Sequence, residues 1–165
     1  MNDPDLMTLV LEVAGHLSAR HWQLATAESC TGGLIAATCT EVSGSSAWFE
    51  RGFVTYSNEA KTELLGVDAA LIAQHGAVSE AVARAMAEGA LRRSRAQVAV
   101  AVTGVAGPTG GSIDKPVGTV WLAWAVRGAD TRSWRGQFPG DRASVRRATV
   151  LRALQGVLES CAPPP

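Results

Sequence analysis

The side chains that carry much hydrolytic and metal chemistry are scarce here: cysteine and histidine occur three times each and tyrosine once in 165 residues. Cys30, Cys39 and Cys161 are odd in number and match no zinc or redox spacing. Free thiols in a reducing cytoplasm fit them best. There is no H-E-x-x-H and no clustered His/Cys/Asp spacing, so neither a metal nor another cofactor is expected. His16 and His21 lack a partner motif and read as surface or packing residues. Charge of one sign is not in excess, with 15 Lys and Arg against 15 Asp and Glu, which gives no field favouring nucleic acid or an anionic membrane. No apolar run approaches the roughly 20 residues that span a bilayer. Met1-Asn2-Asp3-Pro4-Asp5 lacks the basic start of a secretory signal. Internal repeats and low-complexity segments are missing too.

What is present is a 47% hydrophobic chain, enough for one domain with a substantial core. Leu6, Val10, Val13 and Leu17 recur at helical spacing and predict an amphipathic helix over 5–19. A strand over 22–27 and a helix over 32–40 follow. After the turn signal Ser43-Gly44-Ser45-Ser46, a strand is predicted over 48–56. Ser57 or Asn58 can cap the next helix, which Gly66 stops; a short helix over 68–74 and a helix over 80–93 capped by Ser79 come next. Residues 97–102 form a continuous apolar run suited to a central strand. Strands over 119–126 and 132–138 read as an antiparallel hairpin, and Asp141 can cap a last helix striped with Val145, Ala148, Leu151, Leu154 and Leu158. The order predicts an α/β domain with helices on both faces of a mixed sheet over residues 1–160, followed by a flexible Pro-rich tail at 161–165. The alanine-rich inner face of the helix over 80–93 implies close packing on a neighbour. Arg92, Arg93 and Arg95 at its end suit the helix dipole.

Three stretches hold chemistry. Ser29-Cys30-Thr31-Gly32-Gly33 places two hydroxyls, a thiol and two glycines where a strand turns into a helix. Glycine permits unusual dihedrals, and a helix start attracts anions and developing negative charge. Tyr56 and Lys61 emerge near the same end of a strand–helix junction. The glycine-rich loop over 103–118 contains neither a G-x-x-x-x-G-K-[ST] phosphate loop nor a G-x-G-x-x-G fingerprint, yet loops of that length in compact domains usually serve a function. Arg142, in the first turn of the last helix, adds a positive side chain to a positive helix end and suits a phosphate or carboxylate.

Ala27-Glu28-Ser29-Cys30-Thr31-Gly32-Gly33 resembles the signature of the CinA C-terminal domain family, whose members include nicotinamide mononucleotide (NMN) amidohydrolases. Further blocks match in order: Val54-Thr55-Tyr56-Ser57-Asn58-Glu59-Ala60-Lys61, His75-Gly76-Ala77-Val78-Ser79-Glu80, Val102-Thr103-Gly104-Val105-Ala106-Gly107-Pro108, Lys115-Pro116-Val117-Gly118-Thr119-Val120 and Gly140-Asp141-Arg142. The similarity runs from about residue 6 to residue 158. It implies a three-layer α/β/α fold, NMN as substrate, and a form without the additional amino-terminal nucleotide-pyrophosphatase-like domain that many relatives carry.

Carboxamide hydrolysis needs a nucleophile, a base, oxyanion donors and a proton for departing ammonia. Ser29 can be the nucleophile, with Ser46 as a second hydroxyl acting as nucleophile or shuttle and Cys30 as a rival thiol. Lys61 is the base candidate among the matching blocks, because a desolvated lysine loses its proton near neutrality. Tyr56 could orient Lys61 or relay the proton, and Thr103 with the N–H groups near Thr31 to Gly33 could hold the oxyanion. The expected substrate-binding set is Cys30, Thr31, Gly32, Gly33, Gly104, Gly107 and Arg142, the last taking the 5′-phosphate. A homodimer or larger homo-oligomer is expected, without nucleic-acid or membrane partners. Two alternatives stand beside this: a non-catalytic nucleotide-binding or regulatory module, and the role in competence or DNA damage that the family's name suggests.

Overall fold

The structure, a computed structural model, describes residues 3–161. Asp3 caps α1 (Pro4–Ala19), its side chain accepting the Leu6 N–H. Then come β1 (Leu24–Glu28), α2 (Leu34–Thr40), a 3-10 turn (Ser45–Ala47), β2 (Phe49–Val54), α3 (Asn58–Leu65), α4 (Ala69–His75), α5 (Glu80–Arg92), β3 (Val98–Gly104), β4 (Thr119–Val126), β5 (Arg132–Gln137) and α6 (Arg142–Cys161). The sheet order is β2-β1-β3-β4-β5. β1 lies parallel to both β2 and β3, while β3, β4 and β5 run antiparallel in turn. The mixed sheet and the closing hairpin are as the sequence predicts.

Alternation along the central strands makes the two faces unlike. Leu24, Val98, Val100, Val102, Val120, Leu122 and Trp124 face a layer built by α1, α2 and α6. Ala25, Ala27, Ala99, Ala101, Ala123 and Ala125 face the other layer, where α5 packs with Leu65 of α3 and Ile72 of α4. Side chains alternate across a strand, so one Val-Ala repeat makes both a bulky face and a thin one. Packing is close in both layers. A Cβ added to Gly156 would lie 2.1 Å from the Trp124 ring, and one added to Gly89 would lie 2.1 Å from the Leu65 carbonyl oxygen. Trp124 keeps its indole N–H satisfied by donating to the Ala153 carbonyl at 2.9 Å.

Boundary differences have local causes. β1 begins at Leu24, two residues later than predicted, because the chain first leaves α1 through His21 at φ 53°. α2 begins at Leu34 because Gly32 and Gly33 hold left-handed dihedrals that belong to the turn. Cys161, expected in the tail, closes α6 and is buried; the remainder of that tail, 162–165, lies outside the described residues. Among the described residues, no helix is long and apolar enough to cross a membrane.

Candidate active site

The site forms where β1, β2 and β3 end. The Ser29 N–H donates to the Val102 carbonyl at 3.1 Å and the Thr55 N–H to the Glu28 carbonyl at 2.9 Å, so the three strand ends stay in register just beyond the sheet. The turn after Ser29 is held from beneath by Glu28, which is fully buried. Its carboxyl oxygens accept the N–H groups of Ile35 at 2.8 Å and Ala36 at 3.0 Å, the Thr31 hydroxyl at 2.7 Å and, more weakly, the Thr26 hydroxyl at 3.4 Å. The start of α2 is thus already occupied by an internal acid. Thr31 turns inward to Glu28, and Gly32 and Gly33 shape the turn without lining the cavity. These three do not form the anion cradle expected of them, because the helix-start donors are already satisfied inside the protein.

Ser57 caps α3 by accepting the Ala60 N–H at 3.0 Å, and the helix carries Lys61 inward to 1% exposure. Lys61 Nζ lies 3.0 Å from Ser29 Oγ and 2.9 Å from the Thr55 carbonyl, with the Tyr56 and Ser57 carbonyls each at 3.4 Å. All four neighbours are neutral oxygens. Burial lowers the pKa of this amine below the ordinary lysine value, the neighbouring Cys30 thiol opposing the shift. Desolvation penalises the ammonium, so the neutral amine that a base requires is favoured.

Ser29 and Lys61 open on a cavity of about 310 Å³, also lined by Cys30, Tyr56, Thr103, Gly104, Gly107 and Arg142 of the expected set. Cys30 is buried, and desolvation pushes its thiol up to about 12. That environment keeps sulfur protonated and makes it a poor nucleophile. The Thr103 hydroxyl donates to the Ala77 carbonyl at 2.9 Å, so its proton is committed away from an oxyanion. Tyr56 touches Lys61 only through its backbone. Its exposed phenol instead accepts from Arg142 Nη2 at 3.1 Å, so it neither orients the amine nor relays its proton here. Arg142 Nη1 donates to the Gly107 carbonyl at 2.9 Å, fixing the guanidinium at the cavity mouth beside the start of α6.

Ser46 is not brought to this cavity by the chain. It is exposed on the turn that precedes β2, whereas Tyr56 and Lys61 follow the strand's other end. Six strand residues at about 3.3 Å each put the two ends roughly 20 Å apart. Sequence reasoning missed Glu28, whose signal is a carboxylate ending an otherwise uncharged strand, and Asn58, which lines the cavity three residues before Lys61. Arg146 donates to the Thr31 carbonyl at 2.9 Å, and its Nε is buried without a partner among the described residues. Among the described residues, no three His, Cys, Asp or Glu side chains converge as metal ligands.

The CinA C-terminal domain profile matches residues 6–161. The chain belongs to that family. It is 55% identical to the nicotinamide-nucleotide amidohydrolase PncC of Shigella flexneri over 94% of both chains. It is also 57% identical to a CinA-like protein of Akkermansia muciniphila, covering 90% of this chain and 36% of that longer relative. Among solved structures, the competence/damage inducible protein CihA from Agrobacterium tumefaciens superposes with a TM-score of 0.94 at 45% identity, over 96% of this chain and 97% of that one. The six-block resemblance seen in the sequence therefore reflects membership of the CinA family across nearly the whole chain.

Proposed function

We propose that this chain hydrolyses the carboxamide of NMN to nicotinic acid mononucleotide and ammonia, with Ser29 as nucleophile and Lys61 as its base. The observation that carries the mechanism is the 3.0 Å contact between Lys61 Nζ and Ser29 Oγ at the wall of a cavity. The substrate is drawn from the full-length likeness to amidohydrolases of that name. Neutral Lys61 takes the hydroxyl proton as Ser29 Oγ attacks the carboxamide carbon. Backbone N–H groups of residues that line the cavity, rather than those of the Thr31–Gly33 turn, stabilise the oxyanion. The lysine ammonium then gives its proton to the departing nitrogen, releasing ammonia and leaving an acyl-serine ester. Water, deprotonated by Lys61, opens the ester and restores the hydroxyl. Both half-reactions use one base in alternating protonation states, as nucleophilic catalysis requires.

The test is ammonia release from purified protein given NMN, nicotinamide riboside or nicotinamide, with and without a chelator. Turnover of NMN unaffected by the chelator is expected. Failure to release ammonia, or a loss on chelation that a divalent ion restores, would overturn this reading.

Arg142 sits where the 5′-phosphate would meet both a guanidinium and the start of α6. Arg142→Ala is expected to raise KM for NMN by about 10- to 150-fold, the equivalent of a charge-assisted contact of about 1.5–3 kcal/mol. The unphosphorylated riboside should be little affected. Equal losses on both substrates would instead assign Arg142 to holding Gly107 and Tyr56 in place.

A further inference from the structure

One side chain in the cavity is not explained by the fold. Asn58 is one of two asparagines in the chain and the first residue of α3. The helix start asks nothing of it, because Ser57 already supplies the cap and asparagine is a poor helix former. Lys61, three residues on, shares its helix face, and both side chains line the cavity with Ser29. Most neighbouring polar groups are engaged: Thr103 with the Ala77 carbonyl, Tyr56 with Arg142, and Lys61 with Ser29. Asn58 is solvent-exposed at the cavity rim, and its carboxamide has no hydrogen-bond partner among the described residues.

We infer that Asn58 holds the amide nitrogen of the substrate and thereby favours the carboxamide over the carboxylate product. This assignment rests on the amidohydrolase reading of the site. With the Arg142 guanidinium at its mouth, the cavity is electrostatically suited to anions, and by itself would not favour the neutral carboxamide group of the substrate over the carboxylate of the product. A primary carboxamide differs from its acid in one useful respect, since its NH₂ donates whereas a carboxylate only accepts. Recognition of the amide therefore needs an acceptor that is neutral, unoccupied and next to the reacting pair. Asn58 Oδ1 is neutral, accepts from no other described residue, and lines the same cavity as the reacting pair. Accepting one N–H there also holds the amide nitrogen beside the lysine that must protonate it on departure. An asparagine that turned its own NH₂ to the carboxylate would hold product as well as substrate, and the measurements below separate these cases.

The experiment compares KM for NMN with the inhibition constant of nicotinic acid mononucleotide in the unaltered protein, Asn58→Ala and Asn58→Asp. Asn58→Ala is expected to raise KM by about 3- to 10-fold while the product constant moves by less than about twofold. Asn58→Asp keeps the acceptor and adds a negative charge, so KM should stay within about threefold while product binding weakens by about tenfold. Calorimetry in a Ser29→Ala background yields the same two affinities without turnover and covers any variant that loses activity. Parallel losses for substrate and product in Asn58→Ala, or no change in either, would overturn the assignment. An unaltered protein that releases no ammonia from NMN would overturn the amidohydrolase reading itself, which the ratio of affinities does not test.

Discussion

Ser29→Ala and Lys61→Ala are each expected to lower kcat by about 1,000-fold or more while leaving the protein folded, and the double variant should be little worse. Members of one catalytic unit lose their effect together, because an amine without its hydroxyl has nothing to deprotonate. Lys61→Arg should fail almost as badly as alanine, since a guanidinium keeps its proton throughout the accessible pH range. Cys30→Ala should retain most activity, because a buried thiol pushed up to about 12 contributes packing rather than attack. The pH profile supplies an independent check. The reactive form is the free amine, so kcat/KM should rise with pH and level off once the pH passes the folded-state pKa of Lys61. Burial places that point below the ordinary lysine value of 10.5. A dead Cys30→Ala beside an active Ser29→Ala would move the nucleophile to sulfur.

Glu28→Ala is expected to be the most damaging substitution for stability that touches no substrate. The carboxyl is fully buried and accepts from two hydroxyls and two backbone N–H groups. Truncation leaves these donors unsatisfied in a dry interior and opens a void. The combined cost should be about 3–5 kcal/mol, a large part of a typical domain's stability. In a chain of this size that corresponds to a fall in Tm of about 6–20 °C. Glu28→Gln keeps the shape but turns an NH₂ toward groups that are themselves donors, so it should destabilise as well, by less. Thermal unfolding measures both. A Glu28→Ala protein that melts within about 2 °C of the unaltered one would show that water replaces the carboxyl at no cost.

Much of the fold was legible because its signals are local. The apolar run over 97–102, the caps at Ser57 and Ser79, the stop at Gly66 and the hairpin after Val126 each depend on nearby residues, and the structure agrees with all of them. Asp141 likewise accepts the Ser144 N–H at 2.9 Å at the start of α6. The cavity's composition was partly legible for a similar reason: Ser29 and Thr103 lie at strand ends, and Lys61 and Arg142 lie in the first turns of helices. What a sequence conceals is the direction a side chain takes after its backbone is placed. Thr31 lies two residues from Ser29 yet points to Glu28, and the Tyr56 phenol reaches Arg142 rather than the amine next to its own carbonyl. Ser46 failed differently. It is close in sequence to β2, but the strand's length separates it from the reacting pair.

The thin alanine face has a mechanical consequence for the chemistry. Lys61 is carried by α3, whose Leu65 carbonyl rests against Gly89 of α5 with no room for a methyl group, and α5 in turn lies flat on a carpet of alanines. The long side chains in that stack, Leu65 and Met86, are fully buried, so close packing leaves little room to absorb a displacement. The amine is therefore suspended from a stiff lever whose fulcrum lies on the far side of the sheet from α2 and its turn. Alanine residues that never approach a substrate thereby help set the reach of the base toward Ser29, together with the Thr55, Tyr56 and Ser57 carbonyls that hold the amine itself.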